Sequence, residues 1–238
     1  MKNKTVGVLG GLGPLSTVYF MEMLVKMTDA QKDQDHLDLI VTSSASTPDR
    51  TAYIKGILEQ TPLDVLIADA QKLEKAGCDF LVLTCNTAHY FYKDISKAVS
   101  IPFLHMPQLA LEEASKRVEG LKKIGILATD GALTAGVYEE ACKKLDFDFV
   151  KPDSQMQALV MSIIYDRVKA GKKADYSDLK KVLTHLKAKG CQAVILGCTE
   201  LSIIKRDFGP LEDNIVDALE SLAHATIIEG GKKPKNTL

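Results

Sequence analysis

Two segments of this chain repeat one another: Lys75-Ala76-Gly77-Cys78-Asp79-Phe80-Leu81-Val82-Leu83-Thr84-Cys85-Asn86-Thr87 and Ala188-Lys189-Gly190-Cys191-Gln192-Ala193-Val194-Ile195-Leu196-Gly197-Cys198-Thr199-Glu200. Each leaves a helix at a stop glycine and runs through an apolar stretch of strand length. Each then reaches a cysteine flanked by small hydroxyl or amide residues. An earlier pair repeats as well, Val6-Gly7-Val8-Leu9-Gly10 against Ile124-Gly125-Ile126-Leu127-Ala128. Gly7 and Gly125 lie 118 positions apart and Cys85 and Cys198 lie 113 apart, so the halves differ by a short deletion. Such self-similarity implies an internal duplication and two similar lobes. Lobes facing each other about a pseudo-two-fold axis would bring one cysteine to each side of a shared cleft, which suits chemistry on both faces of a single carbon.

The 238 residues, 46% of them hydrophobic, suffice for two cores. Thirty basic and 31 acidic residues leave a net charge of −1, which argues against nucleic-acid and anionic-membrane partners and for a small-molecule ligand. Neither a leader nor a membrane-spanning apolar run is evident, so the expected location is the cytoplasm. Five cysteines without a CxxC pair or a Cys/His cluster point to reduced thiols, not disulfides or a zinc site.

Strands over Val6–Leu9, Leu37–Val41, Phe80–Thr84, Pro102–Met106, from Ile124, over Phe147–Val150 and through the apolar run before Cys198 alternate with helical spacings. Alternation of this kind predicts α/β architecture with doubly wound parallel sheets, which bind ligands at the carboxyl ends of their strands. The pattern predicts helices over Leu63–Ala76, Ala88–Ala98, Leu133–Leu145, Ser154–Ala170, Tyr176–Lys189 and Asn214–Gly230. The last is expected to return to the first lobe. The division is then residues 1–102 plus 211–230 for lobe 1, 103–210 for lobe 2, and 231–238 as a fraying tail.

Free cysteine is commonly a buried core residue. Cys78, Cys142 and Cys191 are read that way, whereas Asn86, Thr87 and Thr199 give Cys85 and Cys198 polar neighbours that an apolar core would not want. Gly10-Gly11-Leu12-Gly13 is a poor dinucleotide fingerprint, because Ser16 stands where a third glycine belongs and no acid ends the second strand. Its amides suit a carboxylate equally well. Arg50 ends a polar loop, where arginines are usually solvated but can clamp a carboxylate. Lys169 ends a long helix, where a cation commonly answers the helix dipole. His89, four residues after Cys85, and Glu200, two after Cys198, are candidates to tune the thiols. Their bland alternatives are a structural histidine and a helix N-terminal acid. A strand end facing a helix N-terminus is expected to favour thiolate.

Four motifs carry a resemblance: Gly10-Gly11-Leu12-Gly13-Pro14-Leu15-Ser16-Thr17, Pro48-Asp49-Arg50-Thr51, Thr84-Cys85-Asn86-Thr87-Ala88-His89-Tyr90 and Leu196-Gly197-Cys198-Thr199-Glu200-Leu201. Together the chain resembles the aspartate/glutamate racemase superfamily, and within it the aspartate racemases. The resemblance implies a cofactor-independent, homodimeric racemase in which Cys85 and Cys198 remove and return the α-proton from opposite faces. Arg50 and Lys169 would hold the side-chain carboxylate. Asn86, Thr87 and Thr199, with the Gly11, Leu12 and Gly13 loop, would contact the rest of the substrate. Leu12, where many relatives carry methionine, and the polar Ser43–Thr47 stretch bear on substrate preference. Related two-cysteine enzymes include maleate isomerases, arylmalonate decarboxylases and hydantoin racemases, and a two-lobed sensor would also use such a cleft. No lysine sits in a recognisable pyridoxal-phosphate context.

Overall fold

A computed structural model describes residues 4–235 of the chain. The first sheet is built from β1 (Thr5–Gly10), followed by α1 (Pro14–Met27), a 3-10 turn at Asp33–Asp35, β2 (Asp38–Ser43), α2 (Arg50–Ile54), α3 (Leu63–Lys75) and β3 (Phe80–Leu83). A 3-10 turn, Thr87–Phe91, leads through α4 (Tyr92–Lys97) and α5 (Met106–Arg117) to β4 (Lys123–Leu127). There follow α6 (Asp130–Thr134), α7 (Val137–Lys144), β5 (Asp148–Val150), α8 (Ser154–Met161), a π-helical segment at Ser162–Val168 and α9 (Tyr176–Ala188). The chain then makes β6 (Ala193–Leu196), α10 (Thr199–Phe208), β7 (Ile215–Asp217) and α11 (Ala218–Glu229).

The duplication appears directly in the topology. The first sheet has the order β2-β1-β3 and the second β5-β4-β6-β7, with every pairing parallel. Val6 faces Phe80 and Leu9 faces Leu83, as Ile124 faces Ala193 and Leu127 faces Leu196. The central strands are thus in matching register, and Cys85 and Cys198 each emerge two residues beyond the last paired position. Packing beneath the strands repeats too. A side-chain carbon at Gly7 would meet Cys78 Sγ at 3.1 Å, and one at Gly125 would meet Cys191 Sγ at 3.3 Å. These two cysteines fill the same structural slot in each half.

One apolar cluster joins the halves: Val6, Val8 and Phe20 of the first share it with Ile124, Ile126 and Ile195 of the second, through α5, α7 and α11. Separate clusters lie on the outer side of each sheet. A boundary at 102/103 therefore crosses a shared core.

Several elements differ from expectation. The stretch 214–230 is not one helix: Ile215–Asp217 pairs with β6, and Asp217 then caps α11 by accepting from Leu219 N at 2.9 Å. Residues 215–217, expected with lobe 1, lie in the second sheet, while α11 reaches back against α1 and α5. The helix expected over Leu133–Leu145 breaks into α6 and α7 at Gly136, whose φ of 66° is left-handed and ends the first turn. Pro102–Met106 contributes only a bridge between Phe103 and Leu81, because α5 begins at Met106. The helix expected over Ala88–Ala98 starts as a 3-10 turn. The described part of the expected tail is pinned: Pro234 bridges Thr28, and Lys235 N donates to Met27 O at 2.7 Å. The last three tail residues lie outside the described ones.

Candidate active site

The carboxyl ends of β1, β3, β4 and β6 converge on one cleft. Its inner part, about 10 Å³, is lined by Leu12, Arg50, Cys85, Asn86, Thr87, Lys169, Cys198, Thr199 and Glu200, among others. A neighbouring chamber of about 360 Å³ shares Arg50, Lys169 and Glu200 with it and is lined also by Gly11 and Gly13. Of the residues singled out in the sequence, all but His89 line these two spaces. Both thiols are 6% exposed. Each rests against its own lobe's apolar cluster, yet both face the same inner cavity.

Cys198 is the N-cap of α10, and its Sγ donates to Glu200 Oε2 at 2.9 Å. Burial first, then the Glu200 charge, pushes this thiol well above the usual range, with Lys169 opposing. The helix N-terminus therefore does not make Cys198 a thiolate at rest: burial, and then the carboxylate within hydrogen-bond reach, outweigh it. Thr199 Oγ1 also donates to Glu200 Oε2, at 3.4 Å.

Lys169 reaches the cleft because the helix widens before it. The π-helical segment ends with Lys169 N donating to Ile164 O at 2.9 Å, a five-residue step, and the ammonium lies 4.4 Å from the centre of the Tyr165 ring. Lys169 Nζ sits 3.8 Å from Asp49 Oδ2 and 4.0 Å from Glu200 Oε1. Burial works against its charge, but Glu200, Tyr165 and both cleft cysteines outweigh that and raise its pKa, so it remains a cation.

Asp49 caps α2 by accepting from Ala52 N at 2.8 Å, which delivers Arg50 into the cleft at the first helical position. Arg50 Nη1 donates to the carbonyls of Thr47 at 3.2 Å and Pro48 at 3.1 Å. Its buried Nε has no hydrogen-bond partner, and neither does the Nδ2 of Asn86. Unmet buried donors are costly, and two of them beside one cavity suit an anionic ligand. Thr87 and Thr129 hydroxyls hydrogen-bond at 2.8 Å across the cleft.

His89 holds no charge near the thiol. Burial, then the neighbouring His105, takes its pKa down to about 3. Its Nδ1 lies 2.8 Å from the backbone carbonyl of Cys85, and its Nε2 accepts from Met106 N at 3.1 Å. The neutral ring is a strut beneath the Cys85 turn, the structural role that stood as the alternative to tuning the thiol, here in a buried ring. Sequence reasoning missed Thr129, Tyr165 and Asp49 in the cleft and Tyr138 behind it. Asp49 lies inside a motif already noted, and Thr129 follows the strand that repeats β1. Among the described residues no group of three or more His, Cys, Asp or Glu side chains is arranged to hold a metal ion. Nor, among them, is any helix long and apolar enough to cross a membrane.

Comparison with known proteins identifies the family. The model of the Asp/Glu/hydantoin racemase family matches residues 9–226, nearly the whole chain. The chain belongs to this family. This racemase is 29% identical over 229 residues to the broad-specificity amino-acid racemase RacX of Bacillus subtilis, covering 93% of this chain and 96% of that one. The aspartate racemase of Picrophilus torridus superposes with a TM-score of 0.81 at 30% identity, over 98% of this chain and 96% of that one. An aspartate racemase homologue from Pyrococcus horikoshii shares the fold, with a TM-score of 0.75 at 24% identity over 96% and 99% of the two chains. The racemase is thus an isomerase with two α/β lobes, each built on a parallel sheet.

Proposed function

We propose that this racemase interconverts the enantiomers of an acidic amino acid, aspartate foremost, using Cys85 and Cys198 as the two proton carriers. The observation that carries the reading is one inner cavity bordered by both thiols, by the cations Arg50 and Lys169, and by the unpartnered donors on Asn86 and Arg50, a space that the lobes part to fill with substrate and close over it. Resemblance to an aspartate racemase over nearly the full chain supports the substrate class.

In the proposed cycle one thiolate takes the α-proton while the opposed thiol delivers its own proton to the other face of the carbon. The Cα–H bond breaks as a new one forms, and the charge moves from one sulfur to the other. Cys198, kept protonated by burial and Glu200, is the donor in the first direction and Cys85 the base. After turnover the Cys198 thiolate lies near the Lys169 ammonium, which offsets its charge. The reverse direction starts from that form.

An unassisted thiol, with a pKa of about 8.5, is only a few per cent thiolate at neutral pH. General acid/base transfer contributes about 10²- to 10⁴-fold, roughly 3 to 5 kcal/mol, which is too little for a weakly acidic carbon. The remainder falls to fixed donors around the carboxylate, whose charge grows as the α-carbon loses its proton. The Asn86 amide, whose Nδ2 has no partner in the protein, is assigned that part, and the Nε edge of Arg50, with Lys169, takes the side-chain carboxylate.

The test is incubation of the purified protein with single enantiomers of aspartate, glutamate and alanine, read by chiral chromatography, beside separate incubations with a hydantoin and with maleate. The reading predicts conversion of L- or D-aspartate to an equal mixture. No inversion of any acidic amino acid, or turnover of a hydantoin or maleate alone, would overturn it.

A further inference from the structure

Tyr138 lies outside the cleft, 1% exposed, on α7 of the second lobe, yet it touches both cysteine-bearing turns. Its hydroxyl donates to Asn86 Oδ1 at 2.5 Å, one residue after Cys85. Its ring occupies the space beside Gly197, one residue before Cys198, where a side-chain carbon would meet Tyr138 Cε2 at 2.8 Å. Thr84 stands at the matching place in the other half, so glycine at 197 is a departure from the repeat that makes room for this ring. The phenol keeps its proton: burial, then Cys198, Cys142 and Asp217, push its pKa well above the usual range. With Oδ1 taken by the phenol, the Asn86 amide has one remaining polar end, the buried and unpartnered Nδ2 of a residue that lines the inner cavity.

We infer that Tyr138 is a positioning residue for racemisation, locking the Asn86 amide with its N–H donors toward the ligand carboxylate while spacing the two cysteine turns. An amide turned the other way would bring its oxygen against an anion. The inference rests on the racemase reading, because it needs a carboxylate in the cavity. Tyr138 itself touches no reacting atom and acts through Asn86.

Tyr138→Phe keeps the ring against Gly197 and removes only the hydroxyl. Loss of one partner from a buried hydrogen bond predicts a fall of about tenfold or more in kcat for aspartate, with KM changing less, because the carboxylate gains charge in the transition state. A double-mutant cycle separates positioning from bulk stability. If Tyr138 works through Asn86, adding Tyr138→Phe to Asn86→Ala costs nothing further. Asn86→Asp, which retains the acceptor but lacks the donors, is equally insensitive to the second change. Wild-type kcat and KM in folded Tyr138→Phe, or losses that multiply in the double variants, would overturn the inference. Absence of racemisation in the unmodified protein would instead sink the underlying reading, so the two failures are distinguishable. Should Tyr138→Phe not fold, the Asn86→Asp protein decides: full activity there shows that the amide donors are not needed and refutes the role assigned to Tyr138.

Discussion

Arg50→Lys tests the division of labour within one guanidinium. Nη1 is committed to the Thr47 and Pro48 carbonyls, while the buried Nε has no partner in the protein and is the edge assigned to the ligand in the proposed function. A lysine ammonium is a single point charge and cannot hold the loop and reach the carboxylate at once. Losing one charge-assisted hydrogen bond costs about 1.5–3 kcal/mol, or roughly 10- to 150-fold in kcat/KM for aspartate. Losing one loop bond costs about 1 kcal/mol of folding stability, or about 2–4 °C in Tm for a chain of this size. The assay is initial-rate racemisation of aspartate by chiral chromatography, run beside any accepted amino acid that lacks a side-chain carboxylate. That second substrate should keep its kcat/KM. Unchanged aspartate kinetics, or an equal loss on both substrates, would refute the carboxylate clamp.

Three further outcomes follow from the geometry. Glu200→Gln removes the carboxylate that helps hold the Cys198 proton, so Cys198 should titrate at lower pH, followed by ultraviolet thiolate absorbance in a Cys85→Ala background; an unchanged titration would contradict the Cys198–Glu200 hydrogen bond. Burial, as the largest cause, lowers His89 to about 3 and His105 to about 4, so below pH ~6.5 the unfolded chain binds protons that the folded chain refuses. Stability should therefore be complete above that pH and drain toward pH 4 at about 1.4 kcal/mol per unit for each histidine, and His89→Gln should flatten the fall in Tm between pH 7 and 5. A homodimer, implied by the family resemblance, predicts light scattering at about twice the 26.0 kDa chain mass, and a monomer at micromolar concentration would contradict it.

Much of this site was legible because the chain states it twice. The repeated approach to Cys85 and Cys198 fixed both strand ends, and the matching register of β3 and β6 on their central strands carried both thiols to the same level. What escaped was non-local or short. Ile215–Asp217 offers only three strand residues before a helix, so its apolar side chains merge into the helical pattern that follows. Lys169 was named through the family resemblance and not through its local pattern, which reads only as a helix end and does not foresee the π-helical segment that precedes it. Tyr138, amid the charged Glu139 and Glu140, meets Asn86 from 52 residues away, and no local pattern reports such a contact. The mismatch of Gly197 with Thr84 in the repeat was the available hint. For His89 the sequence left thiol tuning and a structural role side by side, and the ring bonds the backbone.

The two-thiol account is tested most directly by α-proton exchange in heavy water with single enantiomers of aspartate, comparing the unmodified protein with Cys85→Ala and Cys198→Ala. The account predicts that the unmodified protein inverts and deuterates both enantiomers. Each variant should lose inversion, and any residual deuterium uptake should be confined to one enantiomer, opposite in the two variants. Full racemisation by both variants would contradict it.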